Sequence, residues 1–225
     1  MDTPAIPERR AVPRGPVVGA TVSALVLAVT TLLALRGAPL GVDLSLFRWL
    51  NEPPAFLDVV LGAVNPVLRP VPLTLLAAAV IAWLMFSTPT PSGRWHLARD
   101  GLVAAAVTWV LCTALKNLVD RPRPLAALAD VSTHGYPGTP NGASFPSSHT
   151  AVAVAVVTAL WPRLRVGQRA VGVAVAVLVA LDRAYIGAHW PVDLVGGAAL
   201  GFLVACLTLL VLERPPLTAA GPSCP

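Results

Sequence analysis

Apolar residues run through this chain in long blocks separated by short polar breaks. Val17 to Leu35 is the first block. Val71 to Phe86, Gly101 to Leu115, Ser148 to Trp161, Ala170 to Ile186 and Pro191 to Leu212 follow. The third is short by itself and is extended by Lys116 to Val119. A bilayer core is crossed by about 20 apolar residues in a helix, so blocks of this kind read as spans. The pattern predicts an all-α, polytopic membrane helix bundle with six transmembrane helices. The first block is longer than the apolar core of a signal peptide, which runs about 7–15 residues, and no cleavage pattern follows it. It is therefore expected to stay as a span.

Between the first two spans the pattern changes. Val42 to Val60 mixes apolar residues with Asp43, Arg48, Glu52 and Asp58 and carries Trp49. This predicts short interfacial helices along the membrane surface, broken at Pro53-Pro54. Residues 120–146 form a long Pro- and Gly-rich loop, and unstructured loops of that length are often functional. Residues 1–16 and 213–225 are expected to be cytoplasmic tails, flanking one membrane domain over 17–212.

Composition supports the membrane reading. Of 225 residues, 56% are hydrophobic and 12% charged, and the mean hydropathy is +0.73. That is too apolar for an ordinary soluble domain. The net charge of +5 suggests a topology signal and contact with membrane lipids, with no nucleic-acid partner. Cys112, Cys206 and Cys224 have neither metal spacing nor a disulfide pattern. With the substrate candidates Lys116, Arg123 and Arg183 set aside, arginines concentrate on the side holding both termini. The positive-inside rule then puts the termini in the cytoplasm. The 36–70 and 117–147 segments and Arg183 to Asp193 face outward.

Three polar stretches meet on that outer face. Lys116 to Pro124 ends the third span, Pro146 to His149 starts the fourth, and Asp182 to Asp193 joins the fifth to the sixth. Ser147 reads as a helix N-cap. The free N–H groups behind it and the helix dipole suit an anion such as phosphate. His149, in the first turn, can move a proton near neutral pH. Taken singly, these groups have structural explanations. Lys116 and Arg123 could snorkel to the interface, His189 could belong to an aromatic belt with Trp190, and Asp193 could complement a helix dipole. Their joint occurrence on one face is what points to chemistry.

The spacings Lys116–Arg123-Pro124, Pro146-Ser147-Ser148-His149 and Arg183–His189–Asp193 resemble the three-part signature of the type-2 phosphatidic acid phosphatase superfamily. These are membrane lipid phosphate phosphatases related to vanadium haloperoxidases. The resemblance implies that Lys116, Arg123 and Arg183 hold the phosphoryl oxygens, with Ser147 and the N–H groups of Ser148 and His149. It implies His189 as nucleophile through a phosphohistidine, with Asp193 fixing its tautomer. His149 would protonate the leaving group and then activate water. No metal and no cofactor are implied. Arg121 also precedes a proline, but the six-residue spacing from Lys116 selects Arg123. Two positions depart from the family pattern: Ser148 replaces a usual Gly, and Asp182 a usual Ser.

The expected substrate is a lipid phosphate or diphosphate, with undecaprenyl or another polyprenyl diphosphate first. Phosphatidylglycerol phosphate or phosphatidic acid is the alternative. The expected place is the plasma membrane, with the site outward. A transporter would also carry intramembrane charge, but at helix breaks near the membrane centre. Here the charges cluster at span ends.

Overall fold

The structure is a computed structural model, and it describes residues 14–136 and 142–212. Most of the expected tail 1–16 and all of 213–225 lie outside the described residues. Among those residues there are helices and no strands. In chain order they are α1 (Arg14–Ala34), α2 (Gly41–Asn51), α3 (Ala55–Leu68), α4 (Pro70–Ser87), α5 (Pro91–Val119) and α6 (Pro124–Ala127). Then come α7 (Ser148–Leu160), a 3-10 turn (Trp161–Arg163), α8 (Val166–Tyr185) and α9 (Pro191–Leu212).

The expected break at the prolines is present: Pro53 and Pro54 separate α2 from α3. Phe47, Leu50, Asn51 and Asp43 form the buried side of α2, at the spacing of one helical face. Two helices begin earlier than the apolar blocks suggest, for local reasons. At α5, Pro91 takes the first helical position and the Thr90 hydroxyl accepts from the Gly93 N–H at 3.2 Å. These start signals draw Arg94, Trp95, His96 and Arg99, which lie in the polar break between the second and third apolar blocks, into the helix. At α8, the Arg165 N–H donates to Gln168 Oε1 at 2.8 Å, so the helix starts at Val166 rather than Ala170. Helix α5 ends at Asp120, which turns into the left-handed region at φ 43° just before Pro122.

Helix α9 is the centre of the bundle and packs on α1, α5 and α7. Glycine makes its approach to α7 possible. A Cβ on Gly201 would sit 2.1 Å from the Ala151 carbonyl oxygen, and one on Gly197 would sit 2.6 Å from that of Ser147. Such distances are far inside van der Waals contact. Ala104, Ala155, Ala159 and Ala205 continue the close packing deeper in the bundle. Small residues at these positions let backbones meet where no water drives the association.

Three stretches among the described residues are long and apolar enough to cross a membrane: α1, Pro91–Ala127 and α9. Helices α7 and α8 are shorter or more polar. At the bundle end that holds the C-terminus of α9, buried Asp100 pairs with Arg99 at 2.8 Å and with Arg163 at 2.8 Å. At the other end lie the three polar stretches singled out above.

Candidate active site

The structure brings the expected groups to one end of the bundle, where the α5–α7 loop, the start of α7 and the α8–α9 turn meet. Lys116, in the last turn of α5, donates to the carbonyls of Ala143 at 2.8 Å and Ser144 at 3.3 Å. Arg123 Nε donates to the Gly142 carbonyl at 2.9 Å. Its Nη1 donates to the Ala188 carbonyl at 2.8 Å and lies 3.4 Å from His189 Nε2. The guanidinium therefore stands at the ring nitrogen that faces away from Asp193.

His189 is buried in the turn between α8 and α9. Gly187 makes that turn at φ 72°, and a Cβ there would sit 2.4 Å from Val131 Cγ1. Burial pushes the His189 imidazole down to about 3, and the Lys116 and Arg123 charges push the same way against Asp193. A neutral ring with an available lone pair is the form a nucleophile needs. His189 Nδ1 lies 3.7 Å from Asp193 Oδ2 and is buried without a hydrogen-bond partner. The expected Asp193–His189 hydrogen bond is thus left open here, with the neutral ring facing the carboxylate at 3.7 Å. The reason is competition: Asp193 Oδ2 accepts from the Trp190 N–H at 2.9 Å and Oδ1 from Arg121 Nη1 at 2.8 Å.

At α7, Ser147 holds the N-cap position, but its hydroxyl makes no cap bond. It accepts from Thr150 Oγ1 at 3.1 Å, and its N–H donates to the Asp193 carbonyl at 3.0 Å. The N–H groups of Ser148 and His149 lie in the first turn, where a helix offers no carbonyl partner. Ser148 is helical without a positive φ, so this position does not require glycine. His149 is half-buried, and Arg183, Lys116 and Arg123 all bring positive charge to it.

Arg183 is buried at the end of α8. Its Nε and Nη2 both donate to Asp182 Oδ2, the Nε at 3.0 Å. Nη2 also donates to the Leu68 carbonyl at 3.2 Å, and the guanidinium lies 5.7 Å from the centre of the Tyr136 ring. Asp182 thus holds the arginine fork in place.

Two groups that the motif spacings pass over are central here. Arg121 is buried, and its Nη2 donates to Asp43 Oδ2 at 2.6 Å while Nη1 holds Asp193. Asp43 Oδ1 in turn accepts from the Val192 N–H at 2.9 Å. The Arg121 guanidinium lies 5.4 Å from the centre of the Trp190 ring. The signal for Asp43 was an acid on the same face of α2 as Phe47 and Leu50. For Arg121 it was the second Arg-Pro pair. Asn51 also ties α2 to the site region, donating to the carbonyls of Ser132 at 2.8 Å and Tyr185 at 2.6 Å.

Beside the site, an open apolar groove of about 820 Å3 runs between α7, α8 and α9. Thr150 and Val154 line it from α7, Ala176 and Ala180 from α8, Leu194 and Ala198 from α9.

A profile of the PAP2 superfamily matches residues 97–215. YbjG of Escherichia coli (strain K12), named as a candidate undecaprenyl-diphosphatase, is 28% identical over 180 residues, covering 76% of this chain and 83% of the relative. A lipid A 1-phosphatase of Rhizobium johnstonii (strain DSM 114642 / LMG 32736 / 3841) is 32% identical over 115 residues, 47% of this chain and 43% of that protein. The crystal structure of Aquifex aeolicus LpxE superposes with a TM-score of 0.62 at 27% identity, covering 76% of this chain and 96% of the other. A Bacillus subtilis PAP2-type phosphatidylglycerolphosphate phosphatase shares the fold, with a TM-score of 0.61 at 22% identity over 87% and 94%. The chain belongs to the PAP2 superfamily and is a membrane-embedded lipid phosphate phosphatase.

Proposed function

We propose that the chain hydrolyses a polyprenyl diphosphate, with undecaprenyl diphosphate as the substrate. The observation that carries the mechanism is the contact of Arg123 Nη1 with His189 Nε2 at 3.4 Å. A cation fit to hold phosphoryl oxygens stands at the nitrogen that would attack phosphorus. Lys116, Arg123 and Arg183 take the oxygens, and the Ser148 and His149 N–H groups add neutral donors. Ser147 shapes the cradle beside them.

His189 Nε2 attacks the terminal phosphorus, and the bond from phosphorus to the bridging oxygen breaks. His149, protonated, gives its proton to the departing lipid phosphate. Asp193, beside Nδ1, offsets the positive charge that the ring gains. In the second step neutral His149 takes a proton from water, which attacks phosphorus. The Nε2–P bond breaks and inorganic phosphate leaves.

Six helices cross the membrane in this reading: α1, α4, α5, α7, α8 and α9. Helices α2 and α3 lie at the outer interface, the termini are cytoplasmic, and the site opens to the extracytoplasmic side of the plasma membrane. Two charged clusters at opposite ends of the bundle support this, as does the arginine distribution. The substrate's hydrocarbon tail lies in the apolar groove. In support, the groove reaches Thr150, which bonds Ser147, and Ala180, about one turn before Arg183.

Phosphate release from a panel of lipid phosphates tests the substrate. Undecaprenyl diphosphate should give the highest kcat/KM; preference for phosphatidylglycerol phosphate or phosphatidic acid would replace it. Val154→Trp should raise KM for the long-chain diphosphate and leave farnesyl diphosphate unchanged. An equal effect on both would remove the tail from the groove.

A further inference from the structure

Three charged side chains form one buried chain outside the phosphate cradle: Asp43, Arg121 and Asp193, each at most 3% exposed. The links measure 2.6 Å and 2.8 Å. Their charges do not cancel, because one guanidinium serves two carboxylates. Removing one member of such a group leaves an unanswered buried charge, so the arrangement is held tightly. Arg121 does not reach for substrate: Nη1 and Nη2 are both committed to carboxylates.

We propose that Arg121 and Asp43 are positioning residues that set the Asp193 carboxylate, and through it the His189 ring. Arg121 binds Oδ1 and so turns Oδ2 toward Nδ1 of His189. By drawing on the same carboxylate, it also keeps Asp193 from closing on Nδ1 in the resting site, where the separation is 3.7 Å. The contact tightens only as the ring gains positive charge. An interaction that strengthens along the reaction lowers the barrier rather than KM. Asp43 fixes the other fork of Arg121 and, through the Val192 N–H, the first turn of α9 on which Asp193 sits. Helix α2 thereby becomes part of the catalytic apparatus without touching substrate.

This inference rests on the assignment of His189 and Asp193 above, and the test separates the two. Steady-state kinetics on farnesyl diphosphate are compared for the purified full-length chain and for Arg121→Lys, Asp43→Asn and Asp193→Asn. The double variant Arg121→Lys/Asp193→Asn completes a cycle. Arg121→Lys should lower kcat about 10- to 100-fold, the scale of a sub-ångström to ångström misplacement, with KM within about 2-fold by the same reasoning. Asp43→Asn should lower kcat by less. In the Asp193→Asn background, Arg121→Lys should cost no more than about 2-fold, because coupled groups do not add. Full additivity in the cycle would overturn the proposal, as would a rise in KM at unchanged kcat. Loss of folding in both Arg121→Lys and Asp43→Asn would make the triad a structural fastening and overturn it too. Full activity in Asp193→Asn alone would instead sink the underlying assignment.

Discussion

The two ends of the bundle each bury a carboxylate beside arginine, and they are built differently. At the end that holds the α9 C-terminus, Asp100 has one arginine on each oxygen, and both arginine side chains reach the surface, at 22% and 23% exposure. The cluster clamps α5 to the turn after α7, and each carboxylate oxygen has a guanidinium nitrogen at ion-pair distance. At the other end Asp193 shares Arg121 with Asp43, and a neighbouring imidazole nitrogen is buried without a partner. Lys116 there meets only carbonyl oxygens among the described residues. A buried cluster whose charges are all met is a fastening. One that holds a lysine on carbonyl oxygens alone and a ring nitrogen without a partner is prepared for a ligand that will meet them.

Breaking the second end should stop the chemistry. His189→Ala is expected to lower kcat by about 10⁴-fold or more, on the scale of losing a nucleophile, while size-exclusion behaviour stays that of wild type. Asp193→Asn should lose about 100-fold or more in kcat, by analogy with tautomer-fixing acids. The first end should respond the other way. Asp100→Asn is expected to keep kcat within about 2-fold yet lower the thermal midpoint by several degrees, because the loss is one of packing and pairing. A drop in kcat without a change in midpoint would erase the distinction between the two ends.

Smaller effects sharpen the comparison. Asp182 sits beside Arg183, the arginine proposed to bind phosphate, where a carboxylate could repel substrate. Its bonds to Arg183 give it the orienting role instead. Asp182→Ala should raise KM a few-fold with kcat little changed, and Asp182→Ser should be near neutral. A lower KM in both would make Asp182 a repulsive element.

Acid should also tell the two ends apart. The His189 ring titrates near 6.5 when unfolded and is held near 3 in the fold. As pH falls from 6.5 toward 3, the unfolded chain binds a proton that the native chain refuses, so stability falls. Between pH 7 and 5 this amounts to on the order of 1–2 kcal/mol. Thermal midpoints should therefore drop further for wild type than for His189→Gln over that interval. Equal drops would mean that the ring is not held neutral by its surroundings.

Much of this was legible in the sequence because both signals are local. Apolar blocks mark the helices, and Lys116, Arg123, His149, Arg183, His189 and Asp193 fall at motif spacings that short turns bring to one end of the bundle. What escaped is tertiary. The early start of α5 depends on Thr90 and Pro91 outweighing the polar run that follows. The contribution of Asp43 depends on α2 folding back over the α8–α9 turn, a contact between residues far apart in the chain. Ser147 looked like a cap from its type and place. Its hydroxyl instead accepts from Thr150 Oγ1, while the close approach of α9, permitted by Gly197, gives its N–H to the Asp193 carbonyl.

The central claim is that His189 Nε2 carries the phosphoryl group. Farnesyl diphosphate labelled with ³²P on its terminal phosphate, mixed with enzyme and quenched in alkali within milliseconds, tests it directly. The account predicts alkali-stable, acid-labile label on the peptide bearing His189, present in wild type and absent from His189→Ala. Full-rate phosphate release with no labelled peptide, or label that persists in His189→Ala, would contradict it.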